Sequence, residues 1–255
     1  MDIARFFAFI VALAGPAPED SPAELTLKEG ERVVALGDSL TASGGWVRNI
    51  DAVLAQQYGQ RKIPPLINAG YPANRSDHLV GRFRRDVVDH KAGVVLINVG
   101  LSDVWQRMGR PAEKRFVEEY KENLLLLLEE AERENVRVIL LSPTVIGEDP
   151  ESEGNKRLRA YVTAMEEVAR KKEVRFVNLH ELMLRASKNR PADAGEHYLT
   201  TDGVHLSPVG NAVVAVGVLR ALGVGDEKIK ASRPAVGAAT FVPTSRPTTG
   251  PATRN

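Results

Sequence analysis

The chain has 255 residues, of which 43% are hydrophobic and 26% charged, the make-up of a globular protein with one large core or two small ones. A formal net charge of +1 excludes the strong field that draws a protein to nucleic acid or anionic lipid. Cysteine is absent, which excludes disulfides, thiolate catalysis and thiolate-held zinc.

In chain order, the first feature is FFAFIVALA (6–14), a short apolar run with Arg5 before it. Ala12 and Ala14 supply the small residues that a signal peptidase reads, and the run is shorter than the roughly 20 residues that span a bilayer. Residues 1–14 are therefore expected to be a signal peptide, with export to the periplasm or the exterior. If the segment is not recognised, the protein is cytoplasmic and the segment a loosely packed N-terminus. GPAPEDSPAE (15–24) has linker composition, and the linker is expected to run to residue 30.

Residues 31–225 form the expected domain, in which apolar runs alternate with amphipathic stretches. RVVALG (32–37), PLINAG (65–70), GVVLINVG (93–100), VRVILLSP (136–143) and VRFVNL (174–179) read as strands. Helical spacing follows over 46–58, 75–90, 111–134 and 154–172. SPVGNAVVAVGVLRAL (207–222) closes the domain as a helix, with Ser207 as its N-cap and Pro208 in its first turn. From 226 to 255 the chain is rich in Pro, Thr, Ala and Gly and is expected to be a disordered tail.

Strands that each lead into a helix imply an α/β fold, a three-layer α/β/α sandwich around a five-stranded parallel sheet. Right-handed crossovers favour the flavodoxin-like order 2-1-3-4-5, and in such sheets the site lies beyond the carboxyl ends of the strands.

The polar residues fall at those ends. The first strand closes on Gly37-Asp38-Ser39, the second on Asn68-Ala69-Gly70, and the third on Gly100, with Ser102 and Asp103 beyond it. Thr201-Asp202-Gly203-Val204-His205 precedes the last helix. A serine hydroxyl becomes a nucleophile only when a base takes its proton, and Ser39 alone fits a turn or a helix cap equally well. An aspartate three residues before a histidine can fix the imidazole tautomer and leave Nε2 as the base, although Asp202 and His205 are also ordinary turn residues.

LGDSLT (36–41), the glycine within NAGYPANRS (68–76), GLSD (100–103) and DGVH (202–205) together resemble the SGNH hydrolase family of GDSL-type esterases and lipases. The resemblance covers about residues 31–222. It implies that Ser39 is the nucleophile, His205 the general base and then acid, and Asp202 its orienting partner. It also implies an oxyanion hole from the backbone N–H groups of Ser39 and Gly70, plus a side chain that is normally asparagine. Here Ser102 stands in that place, and a hydroxyl is a shorter donor that can turn elsewhere. Asp38 is expected to brace the nucleophile turn, and Asp103 to bond backbone near the site.

Trp105 follows closely and is expected either to wall the pocket, where a flat ring suits a sugar face or an acyl group, or to pack in the core. His78, His90, His180 and His197 have no matching acid and nucleophile in the sequence. EDPESE (148–153) lacks calcium-loop spacing and reads as a solvated helix start.

The resemblance implies an ester hydrolase that needs no metal or organic cofactor. Short loops between the expected elements, without a long apolar lid segment, favour small, acetyl-type groups on carbohydrates or small esters as its substrates. A small-molecule or glycan ester is the expected partner, without nucleic acid or stable membrane insertion. A lysophospholipase or thioesterase is the alternative. A weakly active or inactive ligand-binding domain is another, because of Ser102.

Overall fold

Val94–Asn98, an apolar strand buried along its whole length, is the centre of the sheet. The computed structural model describes residues 6–235. Its strands are β1 (Val33–Gly37), β2 (Ile67–Gly70), β3 (Val94–Asn98), β4 (Arg137–Leu141) and β5 (Arg175–Val177). All pair in parallel in the order β2-β1-β3-β4-β5, the topology expected from the sequence.

Alternate strand residues face opposite layers because the side-chain period of a strand is 2. Val33, Ala35, Val94 and Leu96 join one hydrophobic cluster, while Val34, Leu36, Val95 and Ile97 join the other. The first cluster packs under α1 (Phe6–Ala14), α3 (Gly45–Tyr58), α8 (Leu179–Lys188) and α9 (Pro208–Ala221). The second packs under α4 (Ser76–Phe83), α6 (Lys114–Arg133) and α7 (Glu153–Lys171). The remaining α-helices are short: α2 (Ser39–Ala42), α5 (Leu101–Trp105) and α10 (Asp226–Lys230).

Both ends of the described chain are packed against the domain. Phe6–Ala14, expected as a signal peptide, is helix α1, with Phe7, Ile10, Val11, Leu13 and Ala14 buried. Its reason lies in α9, where every residue from Ala212 to Ala221 is buried. A helix apolar on all sides needs cover on all sides, and α1 packs on the flank that α3 and α8 leave. Arg220 Nη2 donates to Gly15 O at 2.8 Å, at the carbonyl end of α1, and the same side chain pairs with Asp226 at 2.8 Å.

The expected linker is also partly fixed: Leu27 is buried, and Thr26 N donates to Leu222 O at 2.8 Å. Residues 226–235, expected to open the tail, instead contain α10 with Ile229 and Ser232 buried. The rest of the expected tail, 236–255, and residues 1–5 lie outside the described residues. No helix among the described residues is long and apolar enough to cross a membrane.

Candidate active site

β1 delivers the first component. Its last residue, Gly37, leads into Asp38, which caps α2 by accepting from Leu40 N–H at 3.0 Å. Ser39 is thus the first residue of a helix of four and is only half-buried. Among the described residues, nothing engages its Oγ or its backbone N–H.

Asp38 is fully enclosed, and its Oδ2 is buried without a hydrogen bond. Burial pushes its carboxyl up to about 7, opposed by the N–H groups of Leu40 and Ser102. The Asp103 charge pushes it further up and the His205 charge draws it down. Groups from two sequence-distant turns, at 102–103 and at 205, therefore act on one carboxylate beside Ser39.

The second component sits at the end of β2. Gly70 lies so close to α2 that a Cβ would stand 2.1 Å from Ala42 N, so only glycine fits. Its N–H, expected to face the oxyanion, donates to Asn68 Oδ1 at 2.9 Å. Asn68 Nδ2 in turn donates to Thr41 O at 2.7 Å. In the following loop Ala73 has a left-handed backbone with φ 61°.

Arg82 of α4, which the sequence reading did not single out, secures this corner. From its buried guanidinium it donates to Gly37 O, Ala69 O and Asn74 Oδ1, each at 2.8 Å, and to Asp86 at 2.5 Å. It also lies 4.6 Å from the centre of the Tyr71 ring. The i, i+4 spacing of Arg82 and Asp86 was the sequence signal that could have marked it.

Gly100 starts the third component with φ 120°, a conformation open to glycine. Helix α5 then buries Ser102 and Asp103. Asp103 accepts from Ser76 Oγ at 2.8 Å and Ser76 N at 3.1 Å, which ties α5 to α4. Burial raises its carboxyl to about 6, against the pull of Ser76. Ser102 Oγ has no partner among the described residues. Asn98 is not in the site: its Nδ2 donates to Ser142 O at 3.0 Å.

Trp105 is 53% exposed, so the core-packing alternative does not hold. It lies three residues beyond Ser102, on the same face of α5. A separate groove of about 350 Å³ between the starts of α6 and α7, bordered by Arg107, Phe116 and Tyr161, contains none of the expected catalytic residues.

The last component is the turn before α9. Asp202 Oδ2 accepts from His205 Nδ1 at 2.7 Å, and its Oδ1 accepts from the N–H groups of Val204 at 3.0 Å and His205 at 2.7 Å. These bonds, the His205 side chain first, hold the Asp202 carboxyl down at about 2. A carboxylate only accepts, so Nδ1 carries the hydrogen, and in the neutral ring the lone pair is then on Nε2. Glu148, read from sequence as part of a solvated stretch, has a side chain only 4% exposed beneath this turn. His180 is buried on Thr144 O at 2.5 Å, and His78 is occupied at the start of α4.

Residues 35–213 match the model of the GDSL-like Lipase/Acylhydrolase family. An acetylxylan esterase of Geobacillus stearothermophilus is 24% identical over 217 residues, 78% of this chain and 97% of that protein. An uncharacterized lipoprotein of Bacillus subtilis is 24% identical over 218 residues, 74% of this chain and 88% of its own. Among solved structures, an α/β hydrolase from the metagenome of Lake Arreo superposes with a TM-score of 0.70 at 25% identity, covering 78% of this chain and 98% of that one. The acetyl xylan esterase AlAXEase does so with a TM-score of 0.66 at 26% identity, covering 73% and 97%. With well over half of its length matched, the chain belongs to the GDSL-like lipase/acylhydrolase family and is a carboxylic ester hydrolase.

Proposed function

We propose that Ser39, His205 and Asp202 form a catalytic triad that removes small acyl groups, acetyl foremost, from carbohydrate or small esters. The Asp202–His205 hydrogen bond of 2.7 Å carries the reading, because it makes Nε2 a base on the edge where Ser39 is unengaged. In the acylation step Nε2 takes the Ser39 Oγ proton as Oγ bonds to the ester carbonyl carbon. The tetrahedral intermediate collapses, and the leaving alcohol oxygen takes the proton from His205. Water then repeats the sequence on the acyl-enzyme and releases the acid.

The developing oxyanion needs fixed donors. Ser39 N–H and Ser102 Oγ are the two expected donors left unengaged, whereas Gly70 N–H must give up Asn68 to contribute. Asp38 and Asp103 act as braces, through Leu40 and Ser76. Trp105 offers an exposed ring one turn from Ser102, suited to the apolar face of a sugar. The acetyl preference is supported by the acetylxylan esterases among the relatives. One of these, Axe2, was crystallised as catalytic mutants at a serine, an aspartate and a histidine, the last two three positions apart, as Asp202 and His205 are.

Ser102 favours one other reading, a weakened hydrolase that mainly binds its ligand. A panel of p-nitrophenyl and acetyl-oligosaccharide esters, run with Ser39→Ala and fluorophosphonate labelling, separates the two. Ser39-dependent turnover that falls with acyl length supports the acetylesterase. Absence of labelling at Ser39 supports the binding domain, and a preference for long chains supports the lysophospholipase or thioesterase alternative. Export is the favoured location, given the lipoprotein relative and the composition of residues 6–14.

A further inference from the structure

Asp202 and His205 sit on a turn outside regular secondary structure, with side chains 53% and 50% exposed. Their packing alone is a weak restraint, so other bonds must hold the turn. Thr201 N–H donates to His205 O at 2.7 Å within it, and Gly147 N–H donates to Gly203 O at 2.7 Å from outside. The strongest anchor is a carboxylate. Glu148 Oε1 accepts from Leu199 N–H at 2.8 Å, Thr200 N–H at 2.8 Å and Thr200 Oγ at 2.7 Å, just ahead of Asp202. Hydrogen bonds to a charged acceptor are about twice as strong as neutral ones. Glu148 Oε2 is buried without a hydrogen bond, and the nearest cation, Arg190 Nη1, stands 3.7 Å away.

The base of the anchor is itself hydrogen-bonded to α7. Asn155 of α7 accepts from Ile146 N–H at 3.0 Å and donates to Gly147 O at 3.0 Å and Asp149 O at 2.6 Å. Ser152 Oγ donates to Ile146 O at 2.7 Å. A continuous set of bonds therefore runs from α7, through residues 146–149, to the turn of Asp202.

We infer that Glu148 is a positioning residue for the acid–base pair: its buried carboxylate holds the Asp202–His205 turn in register with Ser39 without touching substrate. The inference rests on the proposed triad. A neutral or apolar residue at 148 leaves three donors facing an acceptor that is weaker or gone.

The test compares Glu148→Met, of similar shape without an acceptor, with Glu148→Gln, which keeps an oxygen for the three donors. Turnover of a small ester is measured per Ser39 site titrated with a fluorophosphonate, alongside the downfield proton resonance of His205 Nδ1–H. Displacing a catalytic group slightly costs up to about a hundredfold, so Glu148→Met is expected to lose kcat about ten- to hundredfold. Its KM is expected to stay within about twofold, because no substrate contact changes. Glu148→Gln is expected to remain within about threefold of wild type with the resonance intact, whereas Met broadens it.

Wild-type kcat and an intact resonance in the Met variant overturn the inference, as does equal impairment by Gln and Met. If the Met variant does not fold, Thr200→Val, which deletes one of the three donors, is read with the same signs. Absence of Ser39-dependent turnover in wild type is instead a failure of the triad reading. In that case the resonance alone tests whether Glu148 holds the pair.

Discussion

Arg82 Nη2 donates to Gly37 O at 2.8 Å, which fastens helix α4 to the backbone two residues before Ser39. The guanidinium is buried, and burial lowers its pKa from the ordinary arginine value while Asp86 opposes that shift. Lysine keeps the charge but has no planar fork to reach Gly37, Ala69, Asn74 and Asp86 together. Arg82→Lys is expected to lose about 2–4 kcal/mol in urea unfolding, since a buried pair is left imperfectly matched. Ester turnover should fall with it, and a variant of wild-type stability contradicts the assigned role.

Ser102 invites substitution in both directions. Removing an oxyanion donor costs about 10²–10³ in kcat when the donor is well placed. Ser102→Ala should lose less, on the order of tenfold, because a hydroxyl is the shorter and freer donor. Ser102→Asn is expected to raise kcat on p-nitrophenyl acetate. No rise means that Ser102 is not an impaired donor.

Asp38 makes stability depend on pH in a defined direction. Its carboxyl titrates at about 7 when folded, against 3.8 for the free group. Between those values the folded chain keeps a proton that the unfolded chain has released, so this contribution is present at low pH and lost as pH rises through about 7. Asp38→Asn retains a capping oxygen and removes the titration. Relative to wild type, its Tm should therefore be higher at about pH 8 than at about pH 5. Calorimetry at the two values checks this, and an equal difference at both contradicts it.

Phe7 is fully buried in α1 against the layer that contains α9. Phe7→Ala is expected to destabilise the full chain by about 3–5 kcal/mol, read by urea unfolding. An unchanged midpoint means that the helix adds nothing to the folded domain.

Trp105→Ala tests the exposed ring. At 53% exposure its loss should change stability by less than about 1 kcal/mol. KM for an acetylated oligosaccharide should rise several-fold while that for p-nitrophenyl acetate stays level. Parallel changes in both substrates rule out a sugar platform.

Local pattern was enough to read the sheet. Short apolar runs, three of them ended by glycine and one by proline, marked all five strands within a few residues, because strand periodicity and turn chemistry are properties of neighbouring residues. The same locality made Asp202 and His205 legible as a pair, three positions apart, and placed Ser39 and Ser102 at strand ends. Short helices such as α2 and α5 were less visible, since four or five residues carry too little periodicity.

Packing decided the rest. Arg82 meets Gly37 across 45 positions and Glu148 meets Thr200 across 52, distances over which sequence spacing carries no signal. The same limit hid the bond that occupies Gly70 N–H, because the Asn68 amide that accepts it is also bonded to Thr41 O, 27 positions away. The run 6–14 has a composition that serves an export signal or a core helix equally, and only α9, apolar on every side, assigns it a packed position. Sequence determined which residues stand at the carboxyl edge; tertiary structure decided which of their polar groups are engaged and which remain open, because buried hydrogen bonds are satisfied by whatever the fold brings into reach.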